Sequence, residues 1–182
     1  MERYHLAKLV QWSRDGELRS RKRLQKVVYL LQSAGCKTMK ADFILHHYGP
    51  YSADVAEITD RMVSAGVLVE KKEPNPNLGF SYTYGLSAAG EVSLKAYEST
   101  EPGKELAQSL CGFEVKAKDL LGEELCELEY AATIVYFYKN GADWKEAVTK
   151  TSKFKQVEQG DPAMQRAIQL AESAMRGALV ER

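Results

Sequence analysis

Residues 67–86, VLVEKKEPNPNLGFSYTYGL, form two β-rich runs joined at a tip of proline, asparagine and glycine. That pattern signals a hairpin, and it sits in a chain whose other apolar residues mostly recur at helical spacing. A hairpin set among helices predicts a mainly α, α+β fold in which the helices must supply most of the core.

The helices on either side define the arrangement. Leu6, Leu9 and Val10 share one face of a first segment, about 2–13, which Gly16 interrupts. Ser20 is placed to cap a second helix, 21–34, where Leu24, Val27, Val28 and Leu31 recur at i, i+3, i+4 and i+7 before Gly35. FILHHY, 43–48, reads as a short strand leading into a turn at Gly49-Pro50. Ser52 then caps a third helix with Val55, Ile58 and Met62 inward, ending at Gly66. After the hairpin, SAAGEVSLKAYE returns to helix. Helix, helix, strand, helix, hairpin and helix over residues 1–98 is a winged-helix-like order with a small β-hairpin wing.

The polar stretch STEPGKE separates this unit from a helical extension, 99–182, expected to pack on it. Leu121, Leu125, Leu128, Ala132 and Val135 form one stripe there, and Tyr130, Ile134 and Phe137 a second. A helix apolar on two sides belongs at the centre of a bundle. Asp143 with Glu146, and Asp161 with Pro162, mark the starts of two more helices. The last carries a stripe of Met164, Ile168, Ala171 and Met175. It also carries Ala163, Ala167, Ala171, Ala174 and Ala178, small residues that favour close pairing with a second copy, so a homodimer is one expectation.

Charge and cysteine content narrow the function. Net charge is zero: residues 1–98 hold 14 Lys+Arg against 11 Asp+Glu, and residues 99–182 hold 11 against 14. Neither half resembles a general polyanion binder, whose affinity rests on many phosphate-neutralising cations. Cys36, Cys111 and Cys126 form no CxxC pair and read as small packing residues in a reducing compartment. No apolar run approaches the roughly 20 residues of a bilayer span, and the charged N-terminus is unlike a signal peptide. A cytoplasmic protein is expected.

HHYGPYS, 46–52, is the densest cluster of polar rings. Adjacent histidines on a strand point to opposite faces, so His46 and His47 are not expected to share a metal. Ser52 is better explained as a helix cap than as a nucleophile. With no phosphate loop, paired carboxylates or dinucleotide fingerprint, the expectation is a non-enzymatic protein without metal or cofactor.

Two binding readings remain. Gln25, Tyr29 and Gln32 recur at i, i+4 and i+7 beside the core stripe, where they either hydrogen-bond the following turn or line a groove. Together with His47, Tyr48 and Tyr51 they are the expected edge for a protein partner, with the acidic face of Asp54, Glu57 and Asp60 next in line. The alternative is a DNA-binding transcriptional regulator using Arg19, Arg21, Lys22, Arg23 and Lys26 with Lys71 and Lys72 of the wing. Its third helix would present Ala53, Asp54, Glu57, Asp60, Arg61 and Ser64, three acids against one base, to a polyanion. That disfavours duplex DNA. Phe80, Tyr82 and Tyr84 alternate along one strand face, as a stacking platform for bases or as packing for the neighbouring helix.

RKRLQKVVYLLQSAG followed by FILHHYGPYSADVAEITDRMVSAGVLVE resembles the Panacea-type antitoxin domain and the related YwgA-like family. The shared features are the [KR]LQK-x-x-Y-x-x-Q pattern ending at Gln32 and the Tyr48-Gly49-Pro50 turn before a capped helix. LEYAATIVYFYKNGADWKEAVTKTSKFK is similar to the C-terminal helices of the YwgA-like proteins. The resemblance implies a winged-helix fold and, through its antitoxin side, a protein partner such as a small toxin.

Overall fold

A computed structural model of the chain describes residues 1–76 and 79–176. The protein is mostly helical, with two small antiparallel sheets. Helix α1 (Arg3–Trp12) is followed by a short strand β1 (Glu17–Arg19) and helix α2 (Arg21–Ser33). The Ser20 hydroxyl caps α2, accepting from Lys22 N at 3.2 Å. Strand β1 was not anticipated, because three residues are too few to display a two-residue period. Its partner is the second strand of the hairpin, β4 (Leu68–Asn75) and β5 (Gly79–Leu86), to which it adds at the free edge in the order β1-β5-β4. Leu18 and Tyr84 pair across that edge and are both fully buried.

The region read as one strand before a Gly-Pro turn is a miniature hairpin. Strand β2 (Ile44–His46) pairs with β3 (Gly49–Tyr51), matching Ile44 with Tyr51, Leu45 with Pro50 and His46 with Gly49. The turn therefore sits at His47-Tyr48, and Gly49-Pro50 belongs to the returning strand. Helix α3 (Ala53–Ser64) starts at once, with Ser52 Oγ accepting from Val55 N. Helix α4 (Ala88–Glu98) closes the first half.

The polar stretch after it is a tight corner. Thr100 caps α5 (Glu101–Cys111), and a Cβ at Gly103 would lie 1.9 Å from the Tyr97 carbonyl oxygen. Only glycine lets α5 leave α4 so abruptly. Helices α6 (Glu114–Gly122), α7 (Leu125–Lys139), α8 (Trp144–Lys155) and α9 (Pro162–Met175) follow. Asp143 caps α8 through Glu146 N at 2.8 Å, and Asp161 caps α9 through Ala163 N at 2.9 Å.

Helix α7 is the hub. Leu128, Ala131, Ala132, Thr133, Ile134 and Val135 are all buried, and it packs against α2, β3, α8 and α9. One hydrophobic core runs through both halves of the chain. Ala167, Ala171 and Ala174 are consumed in it, since α9 lies along α7. These alanines are therefore not a free stripe for a second copy; Ala163 is half-buried, and Ala178 lies outside the described residues. Cys36 packs in the core, whereas Cys111 and Cys126 are exposed, contrary to their reading as packing residues. No helix among the described residues is long and apolar enough to cross a membrane.

Candidate functional site

Within the LQK-x-x-Y-x-x-Q motif, Gln25, Lys26, Tyr29 and Gln32 all meet one segment, the connector 41–52. Gln25 meets Ser52 through both ends of its amide, Nε2 donating to the carbonyl at 2.9 Å and Oε1 accepting from the amide N at 2.8 Å. Gln32 does the same to Ala41, at 3.0 and 2.9 Å. Between them, Lys26 Nζ donates to Pro50 O at 2.8 Å, and Tyr29 packs edge-on against Phe43, ring centroids 4.9 Å apart. The connector thus runs antiparallel beside α2, held at residues 41, 43, 50 and 52. From the far side α7 fixes β3. Gly49 has φ of +91°, and a Cβ there would lie 2.5 Å from Thr133 Oγ1.

This geometry divides the expected partner edge. Gln25 is 5% exposed and Tyr29 6%, so neither offers surface; Gln32 is half-buried and engaged with Ala41. The three brace the connector. His47, Tyr48 and Tyr51 do face solvent. Direct pairing of Ile44 with Tyr51 puts both, with His46, on the outer face of the small hairpin, while Pro50 and Leu45 face inward. Ile44 is 64% exposed, Tyr48 47% and Tyr51 37%. The His46 ring lies 5.7 Å from Tyr51 and 5.1 Å from His47. Ile44 and His46 escaped sequence reasoning because a strand read as ending in a Gly-Pro turn has no partner strand to show which residues share a face.

Behind this face, α2, α3 and the hairpin enclose a cleft of about 410 Å³. Leu24, Ala56, Tyr48 and Tyr51 supply apolar wall, and Lys22 and Lys26 are its cations nearest the hairpin. Lys26 is only 2% exposed. Burial lowers its ammonium to about 8, with Glu129 opposing the shift and Lys155 and Lys22 adding to it. Lys155 Nζ lies 3.5 Å from Glu129 Oε2 and Lys22 Nζ 3.8 Å from Oε1, while Lys22 also sits 3.1 Å from the centre of the Tyr48 ring. Glu129 is thus shared by Lys22 and Lys155, and Lys26 has no carboxylate within ion-pair distance among the described residues.

The other cations proposed for nucleic acid mostly have partners within the chain. Arg21 donates to Glu70 at 2.7 Å, to Asp60 at 3.3 Å and to the Tyr84 hydroxyl, and lies 4.3 Å over the Tyr82 ring. Burial pushes the Glu70 carboxyl up, but hydrogen bonds from Arg21 and Tyr84 outweigh it and hold Glu70 below the ordinary carboxylate range. Arg23 donates to the carbonyls of Leu121 and Glu123. Lys71 pairs with Glu17 at 2.7 Å, and Lys72 lies 4.0 Å over the Phe80 ring. Arg19 is exposed, whereas Lys26 is buried and cannot reach a phosphate backbone. On α3, Asp54, Glu57 and Asp60 are exposed as expected, with Arg61 bonded to Glu57. Of the aromatic strand residues Tyr84 is buried, Tyr82 half-buried and Phe80 exposed.

No protein-family model matches the chain. It is similar to a curated relative, the uncharacterized protein YwgA of Bacillus subtilis (strain 168), with 36% identity over 90 residues. The match covers 48% of this chain and 52% of that protein, so it spans about half the length of each.

Proposed function

We propose that this protein is a non-enzymatic interaction module that captures a protein partner on the outer face of the β2–β3 hairpin. The observation that carries the reading is the contiguous exposure of Ile44, Tyr48 and Tyr51, with His46 and His47, on a hairpin held rigid from both sides. Aromatics fixed in place bury much area at low entropic cost, and they dominate binding hot spots. The Gln25, Lys26, Tyr29 and Gln32 contacts support it, because a recognition surface works best when a second layer holds it still.

The order of elements around the β1-β5-β4 sheet supports a winged-helix arrangement for the first half. The antitoxin-like character of the N-terminal motifs is in keeping with a protein partner. Duplex DNA finds less support: α3 presents three carboxylates, and Arg21, Arg23 and Lys71 already have partners in the chain.

The test is photocrosslinking and affinity capture in the native cell, with Ile44→Asp and Tyr51→Ala beside the wild type. Both variants are expected to keep the wild-type melting temperature and to lose partner capture by at least about tenfold, roughly 1.4 kcal/mol. Full capture by both would remove the hairpin from consideration and make the Asp54, Glu57 and Asp60 face the next candidate.

A further inference from the structure

Lys26 is the least expected charge in the molecule. It lies on the cleft wall, almost wholly removed from solvent, and its ammonium donates to a single neutral acceptor, Pro50 O at 2.8 Å. An ammonium group has three N–H donors, and buried charges are normally paired. Its neighbours do not provide the pair. Glu129 is within ion-pair distance of Lys22 and Lys155, and no carboxylate among the described residues comes within 4.0 Å of Lys26. The cluster of Lys22, Lys26, Lys155 and Glu129 therefore holds a surplus of positive charge beside an open cleft of about 410 Å³.

We propose that this cleft receives a carboxylate, bound between the ammonium groups of Lys26 and Lys22 and supplied by an acidic side chain of the protein partner. The inference rests on the hairpin being the partner-binding face, and it names what that partner inserts. Continuity supports the source: Lys22 lies against the ring of Tyr48, so a chain seated on the hairpin passes the mouth of the cleft. Charge complementarity supports the class. Two ammonium groups match the two oxygens of a carboxylate, and the apolar wall of Leu24, Ala56 and Tyr51 suits the methylenes behind it. A phosphate would call for more donors. The Arg21 fork is already taken by Glu70 and Asp60, and the backbone facing Lys26 presents a carbonyl.

The experiment titrates the intact protein at pH 7 with N-acetyl-glutamate N-methylamide, its glutamine counterpart and inorganic phosphate, following lysine side chains by NMR. The glutamate compound is expected to bind saturably in the millimolar range, as suits so small a ligand, and at least about tenfold more tightly than the other two. Binding should raise the Lys26 titration midpoint, since an anion favours the charged amine. Lys22→Ala, at a half-exposed position, should weaken binding several-fold, and Lys26→Met should abolish it. Absence of saturable binding, equal binding of the glutamine compound, or tighter binding of phosphate would each overturn the proposal. The two readings fail separately. Loss of partner capture in Tyr51→Ala without a carboxylate response leaves the hairpin standing and sinks the pocket. A carboxylate response with intact capture in the Tyr51 and Ile44 variants does the reverse.

Discussion

Gln25 spends both ends of its side-chain amide on the backbone of one residue, Ser52, whose hydroxyl in turn caps α3. One buried glutamine thus sets the position of α2, the end of the small hairpin and the start of α3. Seven residues on, Gln32 repeats the contact at Ala41 and pins the other end of the connector.

Removing the first clamp should be expensive. Gln25→Ala leaves the buried Ser52 N–H without its partner and the Ser52 carbonyl with Ala56 N alone, and an unsatisfied buried group costs roughly 1–3 kcal/mol. A loss of about 2–3 kcal/mol in urea unfolding is expected. Gln32→Ala, at a half-exposed site where water can substitute, should cost about half as much. Equal, small losses below about 0.5 kcal/mol would show that the connector holds its place without the clamps.

Gly49 is expected to tolerate no side chain. Gly49→Ala meets Thr133 Oγ1 and also places a Cβ at φ of +91°. The two penalties together should exceed about 2 kcal/mol. Thr133→Ala in the same chain should recover the steric part and leave the backbone part. A double-mutant cycle without coupling between the two sites would contradict the close approach of α7 to the hairpin.

The buried lysine makes a pH prediction with a definite sign. Burial lowers the folded-state Lys26 ammonium from 10.5 to about 8. Between those values the unfolded chain carries a proton that the folded chain lacks. This group's contribution to stability therefore falls as pH drops through that window, by about 3 kcal/mol in all. Lys26→Met has no such proton to bind. Relative to the variant, the wild type should be at its best near pH 10 and lose ground by pH 8 in parallel urea titrations. Identical pH slopes would show that Lys26 titrates as an ordinary surface lysine.

His5 should govern the acid side. It is fully buried in α1, accepts from Glu2 N through Nδ1 at 3.1 Å, and has no hydrogen-bond partner for Nε2. Burial is the main cause of a folded-state value below 6.5. The unfolded chain therefore takes up a proton first as pH falls below 6.5, and stability held above that value is lost. His5→Asn, which keeps an acceptor for the Glu2 amide, should flatten the decline between pH 6.5 and 5 in thermal melts. An unchanged decline would place its origin in the carboxylates instead.

Much of the helical framework was readable residue by residue. Ser20, Ser52, Asp143 and Asp161 cap helices where their positions predicted, because capping is a contact between a side chain and the backbone two or three residues on. The double stripe read on 121–137 placed α7 at the centre for a similarly local reason, although its first residue, Leu121, belongs to α6. Strand β1 and the true turn at His47-Tyr48 were not legible. Each is defined by a hydrogen-bonded partner strand, Thr83–Gly85 for the one and Gly49–Tyr51 for the other.

The sequence by itself determined most of the helices and their caps, the 67–86 hairpin and the row of Gln25, Tyr29 and Gln32, since all of these follow from period and spacing within one turn or one hairpin. Only the tertiary structure decided what those residues face. In sequence Lys26 is one of five cations in a basic run. In the fold it is buried, because α7 and α8, arriving from more than a hundred residues away, bring Glu129 and Lys155 up beside it. The same arrival put Tyr136 against Tyr29, the connector at Ser52 covers Gln25, and Ile44, Tyr48 and Tyr51 stay outside. Period fixes which residues share a helix face, but burial is set by what covers that face, and the covering element here lies far along the chain.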